Sequence, residues 1–181
     1  LRVKTKKEKN MKKTYLFFVL LMLIGCGDIP FSQKNSVPIA CPDILFASEH
    51  KIYVGSQSEI ISLDNISYQA EINNALFVQN CQMKENVFFS DLTLLFIVSP
   101  LEEMQSIIDL PFYVAVIDEN KDVRDIQYYS ITDTFKNNPE TSELIETELT
   151  KTILVTLPSM DESLSVLVGF MLDEQRFKIL N

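Results

Sequence analysis

Few side chains in this sequence are suited to covalent or acid–base chemistry. It holds three cysteines, Cys26, Cys41 and Cys81, and a single histidine, His50. No Gly-x-Ser-x-Gly elbow, Ser-x-x-Lys motif or Cys–His arrangement surrounds His50, so a nucleophilic triad has little to build on. No CxxC or HxxxH spacing supplies a set of zinc ligands. We therefore predict no catalytic, cofactor-binding or metal-binding residue, and we expect His50 to be an exposed or hydrogen-bonded loop residue.

The chemistry open to Cys26 depends on the residues before it. Lys12 and Lys13 precede an apolar run at residues 15–24, and Gly25 provides a small residue next to the cysteine. A positive segment, a short apolar run and a small-residue ending are typical of an export signal. An uncleaved anchor and a buried core helix are the alternatives. About ten helical residues cover only half of the roughly 30 Å hydrocarbon layer, and the two lysines abut the run, so both alternatives fit less well.

The four residues Leu23-Ile24-Gly25-Cys26 resemble the bacterial lipobox, Leu-x-[Gly/Ala/Ser]-Cys. The resemblance implies a lipoprotein whose first mature residue is Cys26, carrying thioether-linked diacylglycerol and an acylated amine. The protein would then be held by lipid on the periplasmic face of a membrane of the cell envelope. In enterobacterial sorting an Asp directly after the lipidated cysteine resembles an inner-membrane retention signal. Gly27 stands there instead, which favours the outer membrane.

The chain divides into three parts on this interpretation. Residues 1–25 form a lipoprotein signal peptide with a signal helix, in which residues 1–10 are a start-site artefact or a longer n-region. Residues 26–40 mix Gly, Pro, Ser and Asn without a helical or strand period, which predicts a lipidated flexible tether. Residues 41–181 are long enough for one ordinary domain, and we expect a single β-sandwich domain there.

The charge changes sharply after the signal. Residues 26–181 contain nine Lys and Arg against 24 Asp and Glu, a net charge of −15. Binding to nucleic acid or anionic lipid headgroups depends on clustered Lys and Arg, so we expect neither. The membrane is instead reached through the lipid anchor. The acids favour solubility and, where a partner exists, a basic or cationic one.

Cys41 and Cys81 remain after Cys26 is assigned to the lipid. Two cysteines in an oxidising compartment suggest one disulfide, and two buried free thiols are the alternative. A bridge closing a loop of about forty residues would restrict the unfolded chain by roughly 4 kcal/mol.

Short runs rich in β-branched and aromatic residues dominate the chain after Cys41 and are broken by Asn, Asp, Pro and Ser. In one run Phe88, Leu92, Leu94, Phe96 and Val98 share a face, which predicts a strand with a buried side. Similar runs predict seven to nine strands, at 44–47, 51–54, 60–72, 76–79, 87–98, 112–117, 123–131, 144–157 and 164–172. The fold class is therefore all-β, an immunoglobulin- or fibronectin III-like antiparallel sandwich of two sheets, with a partly closed barrel as the alternative. The last residues, 173–181, form either a short closing helix or a frayed tail.

Three further groups of residues deserve comparison with known chemistry. Asp118–Asp122 begins like a calcium loop, but Val123 and Tyr129 stand where Gly and Glu are needed, so we predict a hairpin turn. The acids Glu140, Glu143, Glu146 and Glu148 cannot face one another across a cleft from a single strand, as glycoside hydrolysis requires. The pairs Phe112-Tyr113 and Tyr128-Tyr129 are interpreted as sheet packing rather than a sugar-stacking platform.

Several phrases together resemble a group of small uncharacterised lipoproteins of Gram-negative bacteria. They are Cys41-Pro42, ISYQAEI at 66–72, SDLTLLFIV at 90–98, LPFYVAVID at 110–118 and LSVLVGFML at 164–172. The resemblance covers most of residues 41–181 in order and spacing. It implies an exported, lipid-anchored, immunoglobulin-like β domain in which Cys41 pairs with Cys81, and it implies no activity.

The leading functional hypothesis is a non-enzymatic envelope lipoprotein that binds a protein or another envelope component. The opposed hypothesis is a periplasmic enzyme or small-ligand carrier whose site is built from loops. A pocket lined by converging polar groups would favour the second, and a filled core with shallow grooves the first.

Overall fold

The described residues are 36–102, 107–157 and 164–181 of a computed structural model, and most of them lie in β-strands. This part of the chain contains twelve strands and one helix, so the predicted all-β class is confirmed. Their bounds are β1 Val37–Ile39, β2 Asp43–Phe46, β3 Ile52–Gly55, β4 Tyr68–Phe77, β5 Cys81–Lys84, β6 Val87–Pro100, β7 Ile107–Ile117, β8 Val123–Thr134, β9 Lys136–Asn137, β10 Leu144–Ile145, β11 Thr147–Leu157, β12 Ser165–Phe170 and α1 Glu174–Leu180.

Strand β6 is the centre of the larger sheet. It pairs antiparallel with β11 along one edge and with β5 and then β4 along the other. Strand β3 pairs with β4, and β1 pairs with β5, both antiparallel. With 14 residues, β6 is long enough to pair with two shorter strands in succession along one edge. Its alternating residues also supply a continuous buried face.

The smaller sheet has the order β2-β12-β7-β8. Strand β2 runs parallel to β12, and the other neighbours are antiparallel. The short strands β9 and β10 form a separate antiparallel pair. The predicted hairpin is confirmed, since β7 and β8 pair across the turn at Asp118–Asp122.

The two sheets share one core, which makes the fold sandwich-like. The five residues predicted on one face of β6, from Phe88 to Val98, are all fully buried. The ring of Phe96 lies 5.2 Å from that of Phe112 on β7 and 5.8 Å from that of Phe170 on β12, measured between centroids. Aromatic contact across the layers therefore joins the larger sheet to the smaller one.

The predicted strand at 60–72 has different bounds in the structure. The run at 60–72 contains a 3-10 turn at Leu63–Asn65, and the strand begins only at Tyr68. The cause is local hydrogen bonding, because the Asn65 side chain accepts from the Ser62 amide and donates to the Ile60 carbonyl. Ser67, just before the strand, is buried and donates its amide to the Gly55 carbonyl.

Other boundaries also differ from the prediction. The run at 76–79 is the end of β4 rather than a separate strand. The run at 144–157 breaks at Glu146, because β10 pairs with β9 whereas β11 pairs with β6. Strand β7 begins at Ile107, five residues before the strand predicted at 112–117.

The predicted tether also ends earlier than expected. Val37–Ile39 form β1, which pairs with β5 so that Ile39 lies opposite Cys81. The disulfide between Cys41 and Cys81 holds this segment beside β5, so its backbone can extend the sheet. Residues 1–35, which carry the predicted signal and most of the tether, lie outside the described residues.

The chain's last residues form the short closing helix rather than a frayed tail. Helix α1 begins after Asp173, whose side chain accepts a hydrogen bond from the Arg176 amide at 2.8 Å. An Asp at this position satisfies an amide that the first helical turn leaves without a partner. The cap therefore fixes the first turn of the helix, from which the Arg176 side chain extends.

Candidate functional site

The predicted disulfide is present. Cys41 and Cys81 are bonded across a sequence separation of 40. Cys41 lies in the link between β1 and β2, and Cys81 opens β5 and is fully buried. The alternative of two free thiols is therefore wrong. Cys26, the predicted lipidation site, lies outside the described residues.

His50 is a hydrogen-bonded loop residue, as expected. It ends the 3-10 turn Ser48–His50, and its Nδ1 lies 2.9 Å from the Phe170 carbonyl oxygen. A carbonyl only accepts, so the imidazole donates from Nδ1. Its ring meets Tyr113 edge-on at 5.8 Å. His50 therefore fastens the turn to β12.

The Asp118–Asp122 segment is a turn stabilised by its first residue. Asp118 Oδ1 accepts the amides of Asn120 and Asp122 at 2.9 and 3.0 Å, and Oδ2 pairs with Arg124. The backbone hydrogen bond from Asp122, with help from Arg124, lowers the pKa of the Asp118 carboxyl. Within residues 36–102, 107–157 and 164–181, no group of three or more His, Cys, Asp or Glu side chains is placed to hold a metal ion.

The remaining sequence candidates are dispersed. Glu143 bonds within the turn between β9 and β10, whereas Glu146 accepts from Ser99 Oγ at 3.1 Å. Of the aromatic pairs, Phe112 and Tyr129 stack inside the sandwich at 5.4 Å. Tyr128 is the exception, with 62% of its surface exposed.

Polar side chains do converge at a place that the sequence did not indicate. A cleft of about 440 Å³ opens where β3, β4, the start of β7 and α1 meet. We call it the Tyr53 cleft. It is lined by Tyr53, Ser56, Gln57, Tyr68, Ile107, Asp109 and Arg176.

Tyr68 is positioned by a glycine opposite it. Gly55 and Tyr68 are direct cross-strand partners, and a Cβ on Gly55 would lie 2.0 Å from a Tyr68 ring carbon. The ring therefore lies flat over the glycine backbone. Its hydroxyl donates to the Asp109 carbonyl at 2.9 Å and accepts from the Asp109 amide at 3.0 Å. These bonds tie the start of β7 to β4.

Tyr53 is a buried residue whose hydroxyl opens into the cleft. The residue is only 4% exposed, and its hydroxyl makes no hydrogen bond to any described residue but is not itself shut off from solvent. The ring lies between Arg176, whose guanidinium carbon is 4.7 Å from the ring centroid, and Phe170 at 5.4 Å. Burial raises the pKa of Tyr53 to about 12, with Arg176 opposing the rise and Asp109 adding to it. The phenol therefore stays protonated and can donate at neutral pH.

Arg176 is held by three contacts. Its Nε donates to the Val54 carbonyl at 2.9 Å, its Nη1 pairs with Asp173, and its plane covers Tyr53. A guanidinium has five N–H groups, so three stay free to meet a ligand. Gln175 adds a second attachment of α1, because its Oε1 accepts the Ile61 amide at 2.9 Å. The helix is thus fixed as one wall of the cleft.

Sequence reasoning missed the cleft because its residues come from distant segments. Tyr53, Asp109 and Arg176 are separated by more than fifty residues at each step. The one available signal was Gly55, which directly follows the strand predicted at 51–54, since a glycine in a strand often marks a close approach by another group. Nothing in the spacing indicated that Tyr68 makes this approach.

Comparisons with known proteins add no assignment: no family model, curated protein or solved structure matches the chain. A search of the described helices also finds none with the length and apolar character needed to cross a membrane.

Proposed function

We propose that the chain is a lipid-anchored lipoprotein of the bacterial cell envelope that binds an envelope component in the Tyr53 cleft without changing it chemically. Lipidation at Cys26 would hold the sandwich at the periplasmic face of a membrane, with the outer membrane favoured by Gly27. The observation that carries the binding role is the Tyr53 cleft, into which the Tyr53 hydroxyl opens without a hydrogen-bond partner among the described residues. A ligand in the cleft would accept a hydrogen bond from this hydroxyl.

The chemistry of the cleft supports binding over catalysis. With its pKa raised to about 12, Tyr53 is a poor base at neutral pH. The Tyr68 hydroxyl is engaged on both sides by the Asp109 backbone. Asp109 is the one carboxylate among the lining residues, whereas glycoside hydrolysis uses two. His50 donates to the Phe170 carbonyl and is not among the lining residues.

An immunoglobulin- or fibronectin III-like arrangement is the finer fold we propose. Two sheets packed over a common aromatic core support it. The chain has no Trp, and Cys41 lies in a link between strands rather than within one. Both features favour the fibronectin III-like form over the antibody form, in which a buried Trp packs on a disulfide between strands.

A small-ligand carrier is the second candidate, and the cleft is the observation that favours it. Its volume falls within the range of roughly 300–1,000 Å³ that small-molecule sites span. The two functions differ in what the ligand is attached to. A carrier would release a free small molecule, whereas an envelope binder would stay attached to a polymer or a protein.

The anchor is tested by the intact mass of protein extracted from membranes. We expect a chain that begins at Cys26, heavier by a diacylglyceryl group and an acyl chain, and lighter by two hydrogens than its reduced form. Cys26→Ser should abolish lipidation and release the protein from the membrane fraction. An unprocessed mass, or membrane association unchanged in Cys26→Ser, would refute the anchor.

The binding role is tested by crosslinking in intact cells. A photoreactive amino acid replaces Gln57 at the cleft, and a matched variant carries it at Thr150 on the outer face of β11. We expect a crosslinked envelope species from position 57 and none from position 150. Equal crosslinking from both positions, or none from position 57, would show that the cleft is not the contact surface.

A further inference from the structure

The charges around the Tyr53 cleft disfavour anionic ligands. Arg176 is already paired with Asp173, so its positive charge is largely compensated. Asp109 forms no ion pair with any described residue, and its carboxylate accepts only from Thr132 Oγ1 at 3.3 Å. An anion would meet this carboxylate and a net charge of −15 over residues 26–181. A neutral ligand avoids this repulsion, and unlike a simple cation it can also accept hydrogen bonds from the donors of the cleft.

The hydrogen-bonding groups call for a ligand that both donates and accepts. The Tyr53 hydroxyl and the free N–H groups of Arg176 are donors, and burial raises the pKa of Tyr53, so it remains one throughout the physiological range. The Asp109 carboxylate is an acceptor that needs a donor. Tyr53, Arg176 and Asp109 line the same cleft of about 440 Å³, so one ligand can meet both donors and an acceptor. Adjacent hydroxyl groups satisfy both at once.

The size and the apolar part of the cleft narrow the ligand further. A volume of about 440 Å³ has room for about one or two sugar rings. Ile107 lines the cleft with 67% of its surface exposed, which offers an apolar contact for the C–H face of a ring. The Tyr53 ring cannot serve as a stacking platform, because Arg176 covers one side and Phe170 lies on the other.

From these contacts we infer that the Tyr53 cleft binds a neutral saccharide segment, held by hydrogen bonds from Tyr53 and Arg176 and to Asp109. This inference rests on the proposed binding role of the cleft and adds the chemical class of its ligand. The saccharide is recognised by paired hydroxyls rather than by aromatic stacking.

The test is calorimetric titration of the full-length protein in a zwitterionic detergent without sugar headgroups. The neutral probes are maltose and the β-1,4-linked disaccharide of N-acetylglucosamine, and the charged probes are inorganic phosphate, glycylglycine and spermidine. We expect at least one neutral disaccharide to bind at millimolar concentration or below, and every charged probe to bind more weakly.

Variants locate the binding. Tyr53→Phe removes a hydroxyl without an intramolecular partner, so the fold should persist while disaccharide affinity falls about tenfold, as for one lost hydrogen bond. Asp109→Asn should lower the affinity several-fold. Tyr128→Phe and Asp133→Asn, which change exposed residues of β8, are the controls and should bind like the original protein.

The possible failures are distinguishable. Tighter binding of a charged probe, or no binding of either disaccharide, overturns the saccharide assignment, whereas crosslinking from position 57 reports separately on the binding role. If Tyr53→Phe binds the disaccharide with unchanged affinity, the sugar binds elsewhere on the protein, and this result also overturns the inference.

Discussion

Each sheet contains one glycine whose backbone is covered by a tyrosine from the neighbouring strand. In the larger sheet Tyr68 covers Gly55, and in the smaller sheet Tyr113 covers Gly169. Both pairs fill the space that a missing side chain would leave in a strand. The same pairing of a glycine with a tyrosine occurs in both sheets, but only the Gly55–Tyr68 pair borders the Tyr53 cleft.

The surroundings make the difference. Tyr68 has a fully engaged hydroxyl and stands beside Tyr53, Arg176 and Asp109. Tyr113 contacts His50, and its hydroxyl makes no hydrogen bond to the described part of the chain. Because Tyr113 is only half-buried, water can reach it. Covering the glycine is therefore a packing solution, and the cleft arises where the covering tyrosine stands beside donors and charged groups that face a common opening.

The largest effect should come from replacing the glycines. At Gly55 an added Cβ would lie 2.0–2.5 Å from three ring carbons of Tyr68, whereas at Gly169 the overlaps are milder, with the Tyr113 hydroxyl oxygen at 2.7 Å and His50 Cβ at 2.9 Å. We expect Gly55→Ala to lower the free energy of unfolding by about 3 kcal/mol and Gly169→Ala by about 1 kcal/mol. Urea denaturation measures both. A larger loss for Gly169→Ala would reverse the comparison.

Helix α1 supplies the next test, because its Arg176 forms part of the wall of the Tyr53 cleft. Arg176→Gln removes the guanidinium bond to the Val54 carbonyl and the cover over Tyr53, so we expect a loss of about 2 kcal/mol in unfolding free energy. Lys178→Gln removes an exposed pair with Glu174 and should change it by less than about 0.5 kcal/mol. Similar losses for the two variants would show that Arg176 does not fix the helix.

Removing the hydroxyls distinguishes the two covering tyrosines. Tyr68→Phe loses a donated and an accepted hydrogen bond to the Asp109 backbone, which should cost about 1–2 kcal/mol. Tyr113→Phe loses none to the described residues and should stay within about 0.5 kcal/mol of the original protein. Thermal denaturation of the matched pair checks this. Equal melting temperatures would mean that the Tyr68 hydroxyl does not hold β7.

The smallest effect concerns high pH. The pKa of Tyr53 is raised from 10.0 to about 12, so the unfolded chain loses this proton first as pH rises. The stabilisation is fully present below pH 10 and is lost between about pH 10 and 12. We expect the melting temperature to fall over this window less steeply in Tyr53→Phe than in the original protein. Identical slopes would show that Tyr53 ionises normally.

Much of the framework could be predicted from the sequence, because period-two alternation directly reports a buried face. The inward residues of β6, the β7–β8 hairpin and the pairing of Cys41 with Cys81 follow from it and from the cysteine count. The turn at Leu63–Asn65 could not, since side-chain hydrogen bonds from Asn65 compete with strand formation there. The cleft depends on three distant segments meeting, which local patterns do not encode.

The central claim is that Tyr53 serves a ligand and not the fold. It is tested most directly by placing the photoreactive group at position 57 in a Tyr53→Phe background and measuring both crosslink yield and unfolding free energy. The account predicts that the crosslinked envelope species falls severalfold while the free energy at neutral pH stays within about 0.5 kcal/mol of the original protein. An unchanged crosslink, or a yield that falls only because the protein unfolds, would contradict it.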